Sequence, residues 1–431
     1  VFERSREYLT PQYQLLLRAA SVQGVAGFAA TLAVDPSRTP LTLCATQVDA
    51  CSGDVRLYRW GNDPREHVRA VRFTARSGAL LSGHVWAYGD RARRRPGVVI
   101  TPGSLGVDEE MYWWAAQTLA RHGYAVLSYD LQSQGRSDVL GVGADLFRNA
   151  APQSMPSFVE NTEDALRFLR STPADRYAPV TAATGCDTRP GARAAAARQE
   201  ERAGFGRADG YNPFHALLQR DRIALAAHSY GTLGPAVIGQ CVPAVRATVA
   251  WDNLRAGPGS DQGIRLPAPR VPALGISQDY GFPALPHNAD PDPEAKNAGF
   301  TRYVKAGVDV LQINVRGATH TDWSYLPNPL FAASLRGLDL ATWYTLAWLD
   351  RYVRHDKRAL SRVLTNRWRE PESFLSFYYR SRLAVTVRTR RGKKLRARAV
   401  RCDDLRAGCA ALGGDDHPGE WSYLRFLRVA P

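Results

Sequence analysis

The stretch RIALAAHSYGTLGPAVIGQC, residues Arg222–Cys241, decides how the rest of the chain is read. Ile223 to Ala226 is an unbroken apolar run, the mark of a strand buried on both faces. The run ends at Ser229, breaks at Gly231 and resumes as an uncharged helical segment from Leu233 to Gly239. Ser and Gly at a strand end are ordinary turn chemistry. Here, however, Ser229 has a small residue two positions away on each side, Ala227 and Gly231. A tight strand-to-helix turn that presents a serine needs that spacing, because larger side chains clash as the chain reverses. Ser229 is therefore read as a nucleophile on an elbow, with Ala in the slot where the pattern G-x-S-x-G has its first glycine.

Working outward, VRAVRFTARSG and LLSGHVWAY alternate like a pair of antiparallel strands. PGVVITPG, YAVLSYD, VRATVAWDN, VPALGIS and VDVLQINV read as short buried strands. Between and after them, MYWWAAQTLARHG, SFVENTEDALRFLRS and LDLATWYTLAWLDRYV carry helical periodicity. Strand–helix alternation predicts an α/β fold, a doubly wound and mostly parallel sheet. Residues 66–360 form that domain. Residues 1–65 read as an N-terminal extension, about 173–220 as an insertion before the nucleophile strand, and 361–431 as a small C-terminal appendage. The run VRTRRGKKLRARAVR in the appendage alternates around Arg391-Gly392 like an exposed basic hairpin.

The chain has 431 residues and a net charge of +15, carried mostly by Arg. That field suits weak attraction to anionic surfaces, although a general preference for Arg over Lys accounts for the same balance. The basic hairpin lacks interleaved aromatics for base stacking, so no nucleic-acid partner is expected. No apolar run approaches the roughly 18 residues of a membrane span. The chain begins at Val1, as a trimmed form would. Six cysteines allow three disulfides, and spacing favours Cys44–Cys51, Cys402–Cys409 and Cys186–Cys241. Paired cysteines imply an exported protein, secreted or extracytoplasmic. No C-x-x-C is present and the histidines do not cluster with cysteine, so neither a metal nor another cofactor is expected.

With these residues on the page, the chain resembles the α/β-hydrolase superfamily. Within it, the nearest likeness is to bacterial cutinase-like polyester hydrolases and dienelactone-hydrolase-like esterases. VVITPGSLG (98–106) resembles their oxyanion-loop stretch, AAHSYGTLG their elbow, and RGATH (316–320) the stretch with their catalytic histidine. YDLQSQGRSD (129–138) is similar to the D-x-R-G-x-G-x-S loop of many such enzymes. The resemblance covers roughly residues 65–355 and implies the chain order nucleophile, acid, histidine. His320, after the last strand, is then the general base. His228, beside the serine, points elsewhere. Two acids compete: Asp279 follows VPALGIS, the usual place, and Asp252 follows VRATVAW. Backbone N–H groups of Ser104 and Tyr230 are the expected oxyanion hole. Ser104 stands where the cutinase-like enzymes carry an aromatic. Tyr112, Trp113 and Trp251 are candidates to line the substrate pocket, and core packing is the competing role for such aromatics.

The resulting expectation is an exported serine hydrolase that cleaves a small-molecule or polymeric carboxylic ester through an acyl-enzyme. The same triad cleaves amides, so a serine peptidase or amidase is the alternative, with the acids Asp108 to Glu110 available to hold a charged terminus. A non-catalytic binding protein on a retained scaffold is the third reading.

Overall fold

The computed structural model describes residues 60, 63–90, 92–104, 108–138, 154–252, 254–257, 264–278, 297–315, 320–324, 335–363, 377–383, 385–388, 394–397 and 400–402. Two antiparallel strands open the fold, β1 (Glu66–Thr74) and β2 (Leu80–Tyr88). Six more follow: β3 (Arg95–Thr101), β4 (Ala125–Tyr129), β5 (Leu218–His228), β6 (Val245–Trp251), β7 (Ala273–Gln278) and β8 (Val310–Val315). Every pairing from β4 through β3, β5, β6 and β7 to β8 is parallel. The sheet order is β1-β2-β4-β3-β5-β6-β7-β8, and two further strands extend it. These are β9 (Phe377–Arg382) and β12 (Val400–Cys402), both antiparallel, so the segment after residue 361 adds to the central sheet. Between them β10 (Val385–Arg388) pairs with β11 (Lys394–Ala397), the hairpin read from the alternating basic run.

Helices cover both faces, as parallel strands buried on both sides require. On one face, α1 (Trp113–Arg121) and α5 (Leu335–Tyr352) pack with Val98, Ile100, Val126, Ala224 and Ala226 in one apolar core. On the other, α2 (Met155–Arg170) and α4 (Leu233–Cys241) pack with Val99, Leu127, Ile223 and Leu225. Adjacent strand residues thus serve opposite layers, which is the period-two geometry of a strand. The architecture is α/β and mostly parallel.

The inserted stretch before β5 carries α3 (Arg193–Gly204) and lies along the β1–β2 hairpin. Gln199 of α3 is buried and accepts the Thr74 N–H at 2.8 Å. Asn212 is fully buried; it donates to the Leu169 carbonyl at 2.7 Å and accepts the Phe214 N–H at 2.8 Å. Cys186 of the insertion is disulfide-bonded to Cys241, the last residue of α4, across 55 residues of sequence. Closing a loop of that length is worth about 4 kcal/mol in the chain-entropy view. Cys402 lies in β12, and Cys44, Cys51 and Cys409 fall outside the described residues. Among the described residues no helix is long and apolar enough to cross a membrane.

Candidate active site

Ser229 sits where β5, the strand flanked by β3 and β6, gives way to α4. Its φ is +52°, the left-handed region that L-residues other than Asn and Asp seldom enter. Such a conformation costs on the order of 1–3 kcal/mol and persists only where the surroundings enforce it. Two groups hold it. The Ser229 carbonyl accepts Thr232 Oγ1–H at 2.6 Å and an Arg255 Nη2–H at 2.8 Å, and Arg255 Nε also donates to Thr232 Oγ1. The small residues beside the turn have steric reasons. A Cβ on Gly231 would lie 2.2 Å from the Pro102 carbonyl oxygen, so the chain can pass the end of β3 only as glycine. Ala227 is fully buried in the same crossing.

The loop after β3 reaches over the serine. A Cβ on Gly103 would meet Ser229 Cβ at 3.1 Å. The Gly103 carbonyl accepts the Gln134 side-chain amide at 2.6 Å. Gln134 belongs to the YDLQSQGRSD loop, which is wound on the Asp130 carboxylate. That carboxylate accepts the N–H groups of Glu109 (2.7 Å) and Arg136 (2.8 Å). Burial, with Glu109 and Asp108 nearby, pushes the Asp130 carboxyl well above the usual range. The loop is thus a support for the backbone around the serine.

His320 opens a short helical turn, His320–Trp323, after β8, and its Nδ1 is hydrogen-bonded to Asp252 Oδ2. Asp252 follows β6 with φ +68°, and its N–H donates to the Ile276 carbonyl at 2.6 Å. Of the two acids considered, Asp252 is therefore the one that meets His320, while Asp279 lies outside the described residues. No hydrogen bond of the Ser229 hydroxyl occurs among the described residues. Catalytic contacts commonly tighten only when substrate binds.

His228 carries a part that sequence reasoning did not assign. It is buried, and its ring lies 4.8 Å from that of His320. Its Nε2 is 2.8 Å from the His320 carbonyl and its Nδ1 is 2.7 Å from Tyr112 Oη. A carbonyl only accepts, so Nε2 carries the proton and Nδ1 is bare. Burial and the neighbouring His320 push its pKa down to about 3, which keeps the ring neutral. Tyr112 must then donate to Nδ1, and its oxygen accepts the Gly103 N–H at 3.1 Å. One directed chain, Gly103 to Tyr112 to His228 to His320, ties the loop over the serine to the histidine turn. Sequence gave no signal for it beyond an aromatic and a histidine in unrelated elements. Tyr112→Phe keeps the ring but orphans two buried groups. It is expected to cost about 1–3 kcal/mol in a denaturant titration, and an unchanged midpoint would contradict the chain.

Of the aromatic candidates, Tyr112 reaches the site through His228. Tyr112 and Trp251 are fully buried and stacked at 6.3 Å, and Trp251 Nε1 donates to Thr345 Oγ1. Trp113 is half-buried and packs against Trp86 at 5.2 Å and His84 at 5.4 Å. Ser104 and Tyr230 flank Ser229 in the loop and turn, both half-buried. Glu109 is buried and bound to His84 Nδ1 and Ser128 Oγ at 2.6 Å each, and Glu110 is paired with Arg136. Glu109 and Glu110 are thus engaged in pairings within the protein, whereas Asp108 Oδ1 has no hydrogen-bond partner among the described residues. No group of residues able to hold a metal ion occurs among those described. No family model matches the chain, and no curated protein matches its sequence.

Proposed function

We propose that this chain is a serine hydrolase that cleaves carboxylic esters through an acyl-enzyme. The observation that carries the reading is a left-handed Ser229 between a buried parallel strand and a helix, on the sheet edge where the His320–Asp252 pair stands. In this mechanism His320 takes the Ser229 proton as the oxygen attacks the acyl carbon, and Asp252 stabilises the imidazolium that forms. The tetrahedral oxyanion is held by the Ser104 and Tyr230 N–H groups. The Gly103 N–H is already given to Tyr112, which is why the next residue serves. His320 then returns the proton to the leaving alcohol, and water repeats the cycle on the acyl-enzyme. With two of the three acids, Glu109 and Glu110, committed to His84, Ser128 and Arg136, the ester reading is favoured over the peptidase one. The Cys186–Cys241 bond supports export, since such bonds persist in oxidising compartments.

The test is hydrolysis of p-nitrophenyl esters of rising acyl length. The parent protein is expected to turn over the short members, and Ser229→Ala to lose at least about 10³-fold in kcat with its fold intact. Full activity in Ser229→Ala would end the reading.

A further inference from the structure

On the sheet edge opposite Ser229, at the amino ends of β3 and β5, lies a cleft of about 450 Å³. Its lining includes five arginines, Arg93, Arg94, Arg95, Arg222 and Arg354, and one carboxylate, Asp90. That volume falls within the range of small-molecule sites. The charge balance is the unusual part. The Asp90 carboxylate is turned onto its own loop, where Oδ1 accepts the Ala92 N–H at 2.8 Å. Arg95 is buried in the floor and spends its guanidinium on the backbone carbonyls of Arg93 and Asp90, which shapes the rim. Arg354 is fixed by the His122 carbonyl at 2.8 Å and by Asp350 at 3.3 Å. Arg93, Arg94 and Arg222 have no carboxylate partner among the described residues.

Three arginines without a carboxylate partner among the described residues, Arg93, Arg94 and Arg222, therefore line one concavity together with the Asp350-paired Arg354. The positive field reaches the next shell. His355, held at φ +60°, has its pKa lowered by burial and by Arg222, Arg246 and Arg351. Like charges gathered this way repel one another unless an anion is shared between them. Guanidinium forks match tetrahedral oxyanions geometrically, offering paired donors to paired oxygens. We propose that this cleft is a binding site for a phosphate-bearing anion of at least two charges, separate from the serine site. The shared chemistry is the phosphate group, whether on a free small molecule or on a lipid headgroup. The proposal does not depend on the hydrolase reading.

The probe is pyrophosphate, titrated calorimetrically into the full chain at about 0.15 M NaCl, where diffuse surface attraction is largely screened. Saturable binding at one site is expected, with Kd below about 1 mM. The double substitution Arg93→Gln/Arg222→Gln should weaken it at least tenfold, on the order of two lost charge-assisted contacts. Both side chains are at least partly exposed, so the variant should fold. Arg167→Gln, an exposed arginine on α2 outside the cleft, should leave the affinity unchanged. Sedimentation with phosphatidylglycerol vesicles separates the sources. Vesicle binding lost in the double variant marks a headgroup, and pyrophosphate binding without it marks a soluble ligand. Absence of saturable pyrophosphate binding, or equal affinity in the parent and the double variant, would overturn the proposal.

Discussion

Asp252→Asn is expected to lower kcat by about four orders of magnitude while leaving the protein folded. The size follows from the tautomer. A carboxylate at Nδ1 can only accept, so it fixes the proton there and leaves Nε2 bare to receive the serine proton. An amide can donate to Nδ1 and hold the ring the wrong way round. The fold should survive because Asp252 occupies the left-handed region, which Asn tolerates as well as Asp does. Its backbone anchor, N–H to the Ile276 carbonyl, is also untouched by the change. Steady-state hydrolysis of p-nitrophenyl acetate, with circular dichroism as the folding control, checks both halves. A loss under about tenfold, together with a large loss in Asp279→Asn, would assign the acid to Asp279.

The second large effect is structural. Arg76→Ala is expected to destabilise the protein by about 3–5 kcal/mol. Arg76 is 3% exposed and faces two carboxylates of α2 that are equally enclosed. Its Nη2 lies 2.7 Å from Glu163 and 2.9 Å from Asp164, and its own N–H donates to Asp164 at 2.8 Å. The remaining donors reach Thr188 Oγ1 and the Arg189 carbonyl in the insertion. One side chain thus joins the first hairpin, the helix α2 and the inserted segment. Removing it leaves two buried anions side by side without a cation. Burial already raises the Asp164 carboxyl, and Arg76 holds it back. Without the arginine the folded-state Asp164 carboxyl rises further above its unfolded value. That cost is present at high pH and relieved as falling pH protonates it. The defect should therefore be larger at pH 8 than at pH 5 in urea titrations. The opposite trend would mean that the carboxylates are not what makes Arg76 necessary.

The elements that position the serine were readable because burial on both faces leaves a plain signature. The runs around Val98, Leu127, Leu225 and Val249 are dominated by buried apolar residues, and all became parallel strands. The turn at Ser229 was readable because its glycine is imposed by backbone contacts, which leave few alternatives. The acid was not readable. In the sequence Asp252 and Asp279 each follow a strand-like run, and only the three-dimensional path decides which carboxylate meets His320. Tyr112 looked like any aromatic at a helix start, and its hydroxyl matters only because folding sets it between Gly103 and His228. The strands β9 and β12 were hidden because each is short and interrupted by arginine, which breaks the apolar pattern that marks a strand.

The central claim is that Ser229 is the nucleophile, and covalent mapping tests it most directly. The protein would be treated with a fluorophosphonate, digested, and the modified peptide sequenced by mass spectrometry. The expected result is a single phosphonyl adduct on Ser229, absent after heat denaturation and slowed strongly in Asp252→Asn. An unlabelled protein, or an adduct on another residue such as Ser104 or Ser133, would contradict it.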